Sequence, residues 1–207
     1  DRMEYVRAKL DWEVNSTHFI SFGIDSRAEA MRSQTDALQH VSAYVSDAFD
    51  YDTLGIFVQD TWTPSDKLEV ALALRMDKVE ADFIDPQKPG TEINETILAP
   101  RLDIRYYHND KFTSRFSTGK GYRAPLSFFE SDHGILDAEL GFQIDVDELE
   151  RSLSATYSLS YEGEQLTLTA SAAYSQVDNL AELGETDAGV PVLSQLDKQA
   201  SVTTLDV

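Results

Sequence analysis

The 207-residue chain has no cysteine. That excludes disulfides, thiolate metal sites and a cysteine nucleophile. It also has no apolar run near the ~18 residues that a membrane-crossing helix needs, so a helical membrane protein is excluded and a β-barrel is not. Cations are scarce: 17 Lys and Arg stand against 37 Asp and Glu, a formal net charge of −20. Such a surface repels phosphate backbones, so nucleic acid is not an expected partner. His18, His40, His108 and His133 share no ligand spacing, so neither a dedicated metal site nor a cofactor is expected. Asp145, Asp147, Glu148 and Glu150 lack the glycine and the spacing of a calcium loop and read as a solvated acidic stretch. No secretory leader is seen before the first strand pattern, and the chain stops at Val207 inside another. Its natural start and end are both expected to lie beyond these residues.

What the chain does have is alternation. Leu68, Val70, Leu72, Leu74 and Met76 interleave with Glu69, Ala71, Ala73, Arg75 and Asp77. A period of two sets an apolar face against a polar one. A tilted strand of about 10 residues crosses a bilayer's hydrocarbon core. The same pattern recurs in four hairpins. They span about 4–27, 52–80, 99–122 and 149–177, with tight turns at 15–18, 64–66, 108–110 and 162–164. A ninth strand begins at Ala200. Between hairpins lie long polar connections, at about 29–51, 81–95, 123–150 and 179–196. Short turns at one end and long loops at the other are the asymmetry of outer-membrane barrels. On this reading Leu68, Val70, Leu72, Leu74, Leu102, Ile104, Leu166 and Leu168 face lipid. Trp12, Phe19, Trp62, Tyr106, Phe112 and Tyr161 gather beside the tight turns as an interfacial girdle.

Two residues strain the pattern. Asp60 shares parity with Leu54, Ile56, Val58 and Trp62, so it would face lipid unless a bulge turned it inward. Pro100 has no N–H for a ladder and should mark a strand end or a bulge. On the polar faces, Arg75, Arg101, Arg105 and Arg115, with Arg123 at the rim, are candidates for contact with an anionic ligand or with acidic residues of another domain. Charge balance against Glu69, Asp77 and Asp103 is the simpler account of the strand arginines. Two other readings compete. Asp132 and His133 in a long loop would suit a small outer-membrane barrel enzyme of the omptin protease kind. Alternation alone would suit a soluble β-sandwich binding module.

Three phrases then carry a resemblance. Phe57, Val58, Gln59, Asp60, Thr61 and Trp62 precede a short turn, and Leu72, Leu74, Arg75 and Asp77 follow it. Pro100 and Arg101 open the next hairpin. The run from Gly119 through Gly121, Tyr122, Arg123 and Ala124 to Pro125 reads as G-x-G-[FY]-R-A-P, with Glu130 beyond it. In this order and spacing they resemble the barrel of TonB-dependent outer-membrane receptors, over about residues 50 to 180. Ala73 stands where that family usually has glycine. The resemblance implies an all-β, antiparallel up-and-down transmembrane barrel of 22 strands, of which residues 1–207 would supply nine to ten. Such a barrel is closed by an N-terminal plug, and neither a plug nor a TonB box is seen here. Not an enzyme but a receptor of the Gram-negative outer membrane is implied, taking up a scarce ligand such as a ferric siderophore or cobalamin. Its partners would be outer-membrane lipid, the plug of the same protein, TonB through the plug, and the small-molecule ligand.

Overall fold

A computed structural model describes residues 2–32, 49–83, 92–125, 143–189 and 191–207. Every regular element among them is a strand: β1 (Arg2–Asn15), β2 (His18–Met31), β3 (Phe49–Ser65), β4 (Leu68–Phe83), β5 (Glu92–Tyr107), β6 (Phe112–Arg123), β7 (Gln143–Asp145), β8 (Glu150–Glu162), β9 (Thr167–Asp178), β10 (Ala181–Glu185), β11 (Pro191–Gln195) and β12 (Ala200–Asp206). Nine form one sheet in the order β1-β2-β3-β4-β5-β6-β8-β9-β12. All its neighbours are antiparallel, so the nine expected strands are present as an up-and-down meander. Both of its edges are open, and β1 is exposed along its whole length.

Side-chain amides build two of the turns. Asn15 Oδ1 accepts from the N–H groups of Thr17 and His18 at 2.8 and 3.0 Å. Asn109 Oδ1 accepts from those of Lys111 and Phe112 at 2.9 and 3.0 Å. Each stands in for a backbone turn bond. Leu166 belongs to the fourth turn and not to β9, which starts at Thr167; its carbonyl accepts from Gly163 N–H at 2.8 Å.

The two faces of the sheet differ sharply. The outer face carries Val6, Leu10, Trp12, Phe22, Ile24, Leu54, Ile56, Val58, Leu72, Leu74 and Met76, all exposed. No layer of protein among the described residues covers them, which removes the β-sandwich reading: its core would need these rows buried. The inner face carries Asp25 and Asp77, both buried.

Asp60 stays on the outer face. Its pairing with Ile20 and Leu72 is unbroken, and the one register shift of the β3–β4 hairpin falls between Trp62 and Ser65. No bulge turns it; instead His18 Nδ1 meets its Oδ2 at 2.8 Å. Pro100 lies inside β5, opposite Leu74, and not at a strand end. The β5–β6 ladder runs only from Arg101 to Tyr107, so the proline marks where β6 leaves β5 and continues beside β8 alone.

Four strands reach further than alternation suggested. β2 runs to Met31, β3 starts at Phe49, β4 ends at Phe83 and β5 starts at Glu92. Here the pattern inverts. The outer face turns polar at Lys78, Glu80 and Asp82, while the inner face turns apolar at Val79, Ala81, Ile93 and Ile97. Phe49, Val79, Ala81, Ile93 and Ile97 pack with Val146, Leu149, Ala181 and Leu193 into the core. Those last four come from a cap built around a second sheet, in which β11 pairs antiparallel with β10 and parallel with β7. The core therefore sits at the long-loop end of the inner face, between sheet and cap.

Candidate functional site

The inner face is a row of ion pairs. Arg75 of β4 is the most connected. Its Nη1 and Nη2 meet the two oxygens of Asp25 at 2.8 and 2.7 Å, and its Nε meets Asp77 Oδ2 at 2.8 Å. Asp25 on β2 and Asp77 on β4 both pair in register with Gly55 of β3, so the guanidinium spans the middle strand over a residue with no side chain. A Cβ on Gly55 would collide with Arg75 Nη2 and Asp77 Oδ1. One row away, a Cβ on Gly23 would meet the Phe57 ring at 2.7 Å, and Arg7 lies over that ring, 4.9 Å from its centroid. Inward glycines thus give long side chains room to lie across the sheet.

The other arginines fall along the same wall. Arg101 Nε meets Asp103 Oδ2 at 2.7 Å, and Ser117 donates to Asp103 as well. Arg105 Nη1 lies 3.2 Å from Glu69. Arg123 Nε lies 2.5 Å from Glu150, which is buried. Among the described residues Arg115 meets only a hydroxyl, Ser160 Oγ, at 3.5 Å. Arg75, Arg101, Arg105 and Arg115 share one face by register, Arg123 lies beyond the β5–β6 ladder, and four of the five are paired with carboxylates.

The cap is tied down by three polar side chains. Gln195 Oε1 accepts from the N–H groups of Asp147 and Glu148 at 3.2 and 3.0 Å. Its Nε2 donates to the carbonyls of Glu148 and Asn179 at 2.8 and 3.0 Å. Glu95 of β5 accepts from Leu149 N–H at 2.7 Å and pairs with Arg151. Glu150 Oε1 accepts from Ala181 N–H at 2.9 Å. Beside Gln195 lies a cavity of 490 Å³ lined by Asp145, Asp147, Glu148, Asp178 and Asp197. A smaller one of 300 Å³, lined by Arg101, Gly119, Gly121, Ser152 and Ser154, lies where β5 and β6 part.

On the outer face, Leu68, Val70, Leu72, Leu74, Leu102, Ile104 and Leu168 share one surface by register. Trp12, Trp62, Tyr106, Phe112 and Tyr161 lie on it near the tight turns. Phe19 does not. It pairs with Glu13 and Thr61, which puts it on the inner face with Ser21 and Asp25. Plain alternation along β2 puts it there: no register shift falls between Phe19 and Asp25, and the one shift of the hairpin lies beyond it, between Glu13 and Asn15. Asp132 and His133 lie outside the described residues. Asp25, Gly55, Glu95 and Gln195 were not singled out by sequence. Asp25 and Gly55 do sit on polar phases, but their register crosses a long loop that alternation cannot count through.

Similarity to known proteins agrees with this geometry. The family model "TonB dependent receptor-like, beta-barrel" matches residues 3–204. No curated protein matches the chain. Among solved structures, the FrpB iron transporter from Neisseria meningitidis (F5-1 variant) superposes with a TM-score of 0.71 at 13% identity, over 98% of this chain and 32% of that one. The copper transporter OprC gives 0.70 at 15% identity, over 98% and 34%. The siderophore receptor PirA from Pseudomonas aeruginosa gives 0.69 at 13%, over 98% and 38%. This chain therefore spans about a third of the length of those structures, and at such identities the likeness shows the fold. The family is one of receptors and transporters of the Gram-negative outer membrane rather than of enzymes. With the family model covering nearly every residue of an open antiparallel meander, the chain belongs to the TonB-dependent receptor β-barrel family.

Proposed function

We propose that residues 1–207 are a portion of a receptor barrel in the outer membrane, without a plug, and that the complete protein imports a scarce ligand on energy relayed by TonB. The observation that carries this reading is the uncovered aliphatic outer face opposed to a charged, internally neutralised inner face. Only a wall with hydrocarbon outside and a polar interior suits both. A ferric siderophore or cobalamin is the ligand class this reading favours. FrpB and PirA are an iron transporter and a siderophore receptor, which supports the first. The barrel acts as the rigid wall; selection falls to the loop end and to the plug. The experiment is uptake of radiolabelled iron as ferric siderophore by iron-starved Gram-negative cells expressing the complete gene, with and without functional TonB. Uptake that needs both the gene and TonB is expected. Recovery of the protein outside the outer-membrane fraction would overturn the reading.

A further inference from the structure

Of the five candidate arginines, one has no carboxylate partner among the described residues. Arg75, Arg101, Arg105 and Arg123 each lie within ion-pair distance of a carboxylate. Among the described residues Arg115 has only Ser160 Oγ, at 3.5 Å. It also stands directly opposite Arg105 across the β5–β6 ladder. Like charges at opposed positions destabilise a sheet, because their Cβ atoms lie only about 5 Å apart. Of the acids beside the two, Glu69 lies 3.2 Å from Arg105 Nη1, and Asp103 is already held by Arg101 and Ser117. The Nε–H of Arg105 is buried and has no acceptor. The neighbours on β8 in the same inward register are Ser158, Ser160 and Thr156, which offer hydroxyls and no charge. In a chain with a net charge of −20, two opposed arginines of which only one has a carboxylate partner are a local exception.

We infer that Arg105 and Arg115 form a receiving site for a carboxylate of a polypeptide segment lodged against the inner face at its tight-turn end. This rests on the receptor reading, under which the segment belongs to the plug. Guanidinium groups bind carboxylate in a fixed fork, so one Asp or Glu between two arginines relieves their repulsion and adds charge-assisted hydrogen bonds. Position favours a polypeptide over a free anion. Arg105 and Arg115 flank the turn at 108–111, and the capped core closes the opposite end of the same face. Polypeptide is available in this family, since the solved relatives are about three times the length of this chain.

The test uses outer membranes from cells expressing the complete gene. Arg115→Lys keeps the charge and supplies an amine for carbodiimide coupling. Mass spectrometry is expected to find that amine joined to an Asp or Glu outside residues 1–207. Arg101→Lys serves as the control and should couple to Asp103. Arg115→Glu is expected to lower resistance to heat in detergent, and reversing the identified acid to Arg in the same molecule should restore it. Coupling of the Arg115→Lys amine only to carboxylates within residues 1–207 would overturn the inference, as would no coupling while the control couples. Either result in protein that sediments with the outer membrane overturns this inference alone. Protein absent from that fraction overturns the receptor reading with it.

Discussion

Arg75 binds Asp25 with both terminal nitrogens, at 2.8 and 2.7 Å, although 50 residues and one intervening strand separate them. The bridge is possible because the strand between presents Gly55. It ties β2 to β4 independently of the backbone ladder, and it leaves Asp77 wholly buried with its charge answered.

Arg75→Met should therefore strand two carboxylates, Asp25 at 7% side-chain exposure and Asp77 at 0%. Removing one partner of a buried ionic group costs about 3–5 kcal/mol. Arg75 is one-third exposed, so the expected loss is at the low end, about 3 kcal/mol. Urea titration of the protein folded in phospholipid vesicles measures it. Replacing Asp25 and Asp77 by Asn and Leu in the same molecule should recover most of the loss.

Gly55→Ala should do similar damage with no change of charge. The added Cβ meets Arg75 and Asp77, so the fork must open or β3 must move. A loss of about 2 kcal/mol is expected, within the range for overpacking. Gly184→Ala, where an added Cβ meets nothing within 4 Å, is the matched control and should change stability little.

The outer face offers a test of its solvent. Leu72 is 60% exposed, so Leu72→Arg would be nearly neutral in water. Against lipid, an arginine near the bilayer midplane costs about 2–4 kcal/mol. Folding yields in phospholipid vesicles should fall accordingly for Leu72→Arg and stay unchanged for Ala73→Ser, whose side chain faces inward. Equal behaviour of the two variants would mean that the rows touch something other than hydrocarbon.

Above that belt the outer face is acidic, and pH reports on it. Asp82 of β4 stands opposite Asp50 on one side and Glu92 on the other. Burial first, then Glu92, Asp50, Glu80 and Asp52, push its carboxyl above the usual range. A raised carboxyl holds its proton more tightly folded than unfolded, so stability declines as pH rises from the ordinary aspartate value through the raised one. Below both values the penalty is gone. Asp82→Asn should thus stabilise the protein at neutral pH, and the advantage should vanish in acid. Paired melting curves at pH 7 and about pH 3, below the ordinary aspartate value, would show it.

The strands and their pairing were legible because period-two alternation is strong wherever one face meets hydrocarbon. Leu68 to Met76 carries it without a break. The signal failed where the solvent changed sides. From Lys78 to Asp82 and again from Glu92 to Ile97 the strand continues, but polar residues point out and apolar ones point in toward the cap. A reader following lipid-facing rows stops at that inversion and writes a loop. β10 and β11 were missed for a related reason: five residues are too few for a period to declare itself. The arginines were visible as inward cations, yet which were neutralised depended on register across long connections. Phe19 was legible and misassigned: closeness to the turn suggested the girdle, but its parity with Ser21, Gly23 and Asp25 already placed it on the inner face.

Gln195 separates the cap from the wall experimentally. Its amide holds Asp147, Glu148 and Asn179 by four hydrogen bonds, and no strand of the nine-stranded sheet contributes to that set. Gln195→Ala removes all four at once and leaves two backbone N–H groups without their acceptor. Amide hydrogen exchange at Asp147 and Glu148 should speed up at least tenfold, since a net loss of about 1.4 kcal/mol gives that factor. Amides of Val70 to Met76 should keep their protection, because the β3–β4–β5 ladders are untouched. If both sets accelerate together, cap and wall open as one unit. If only the cap responds, its opening is local and independent of the barrel.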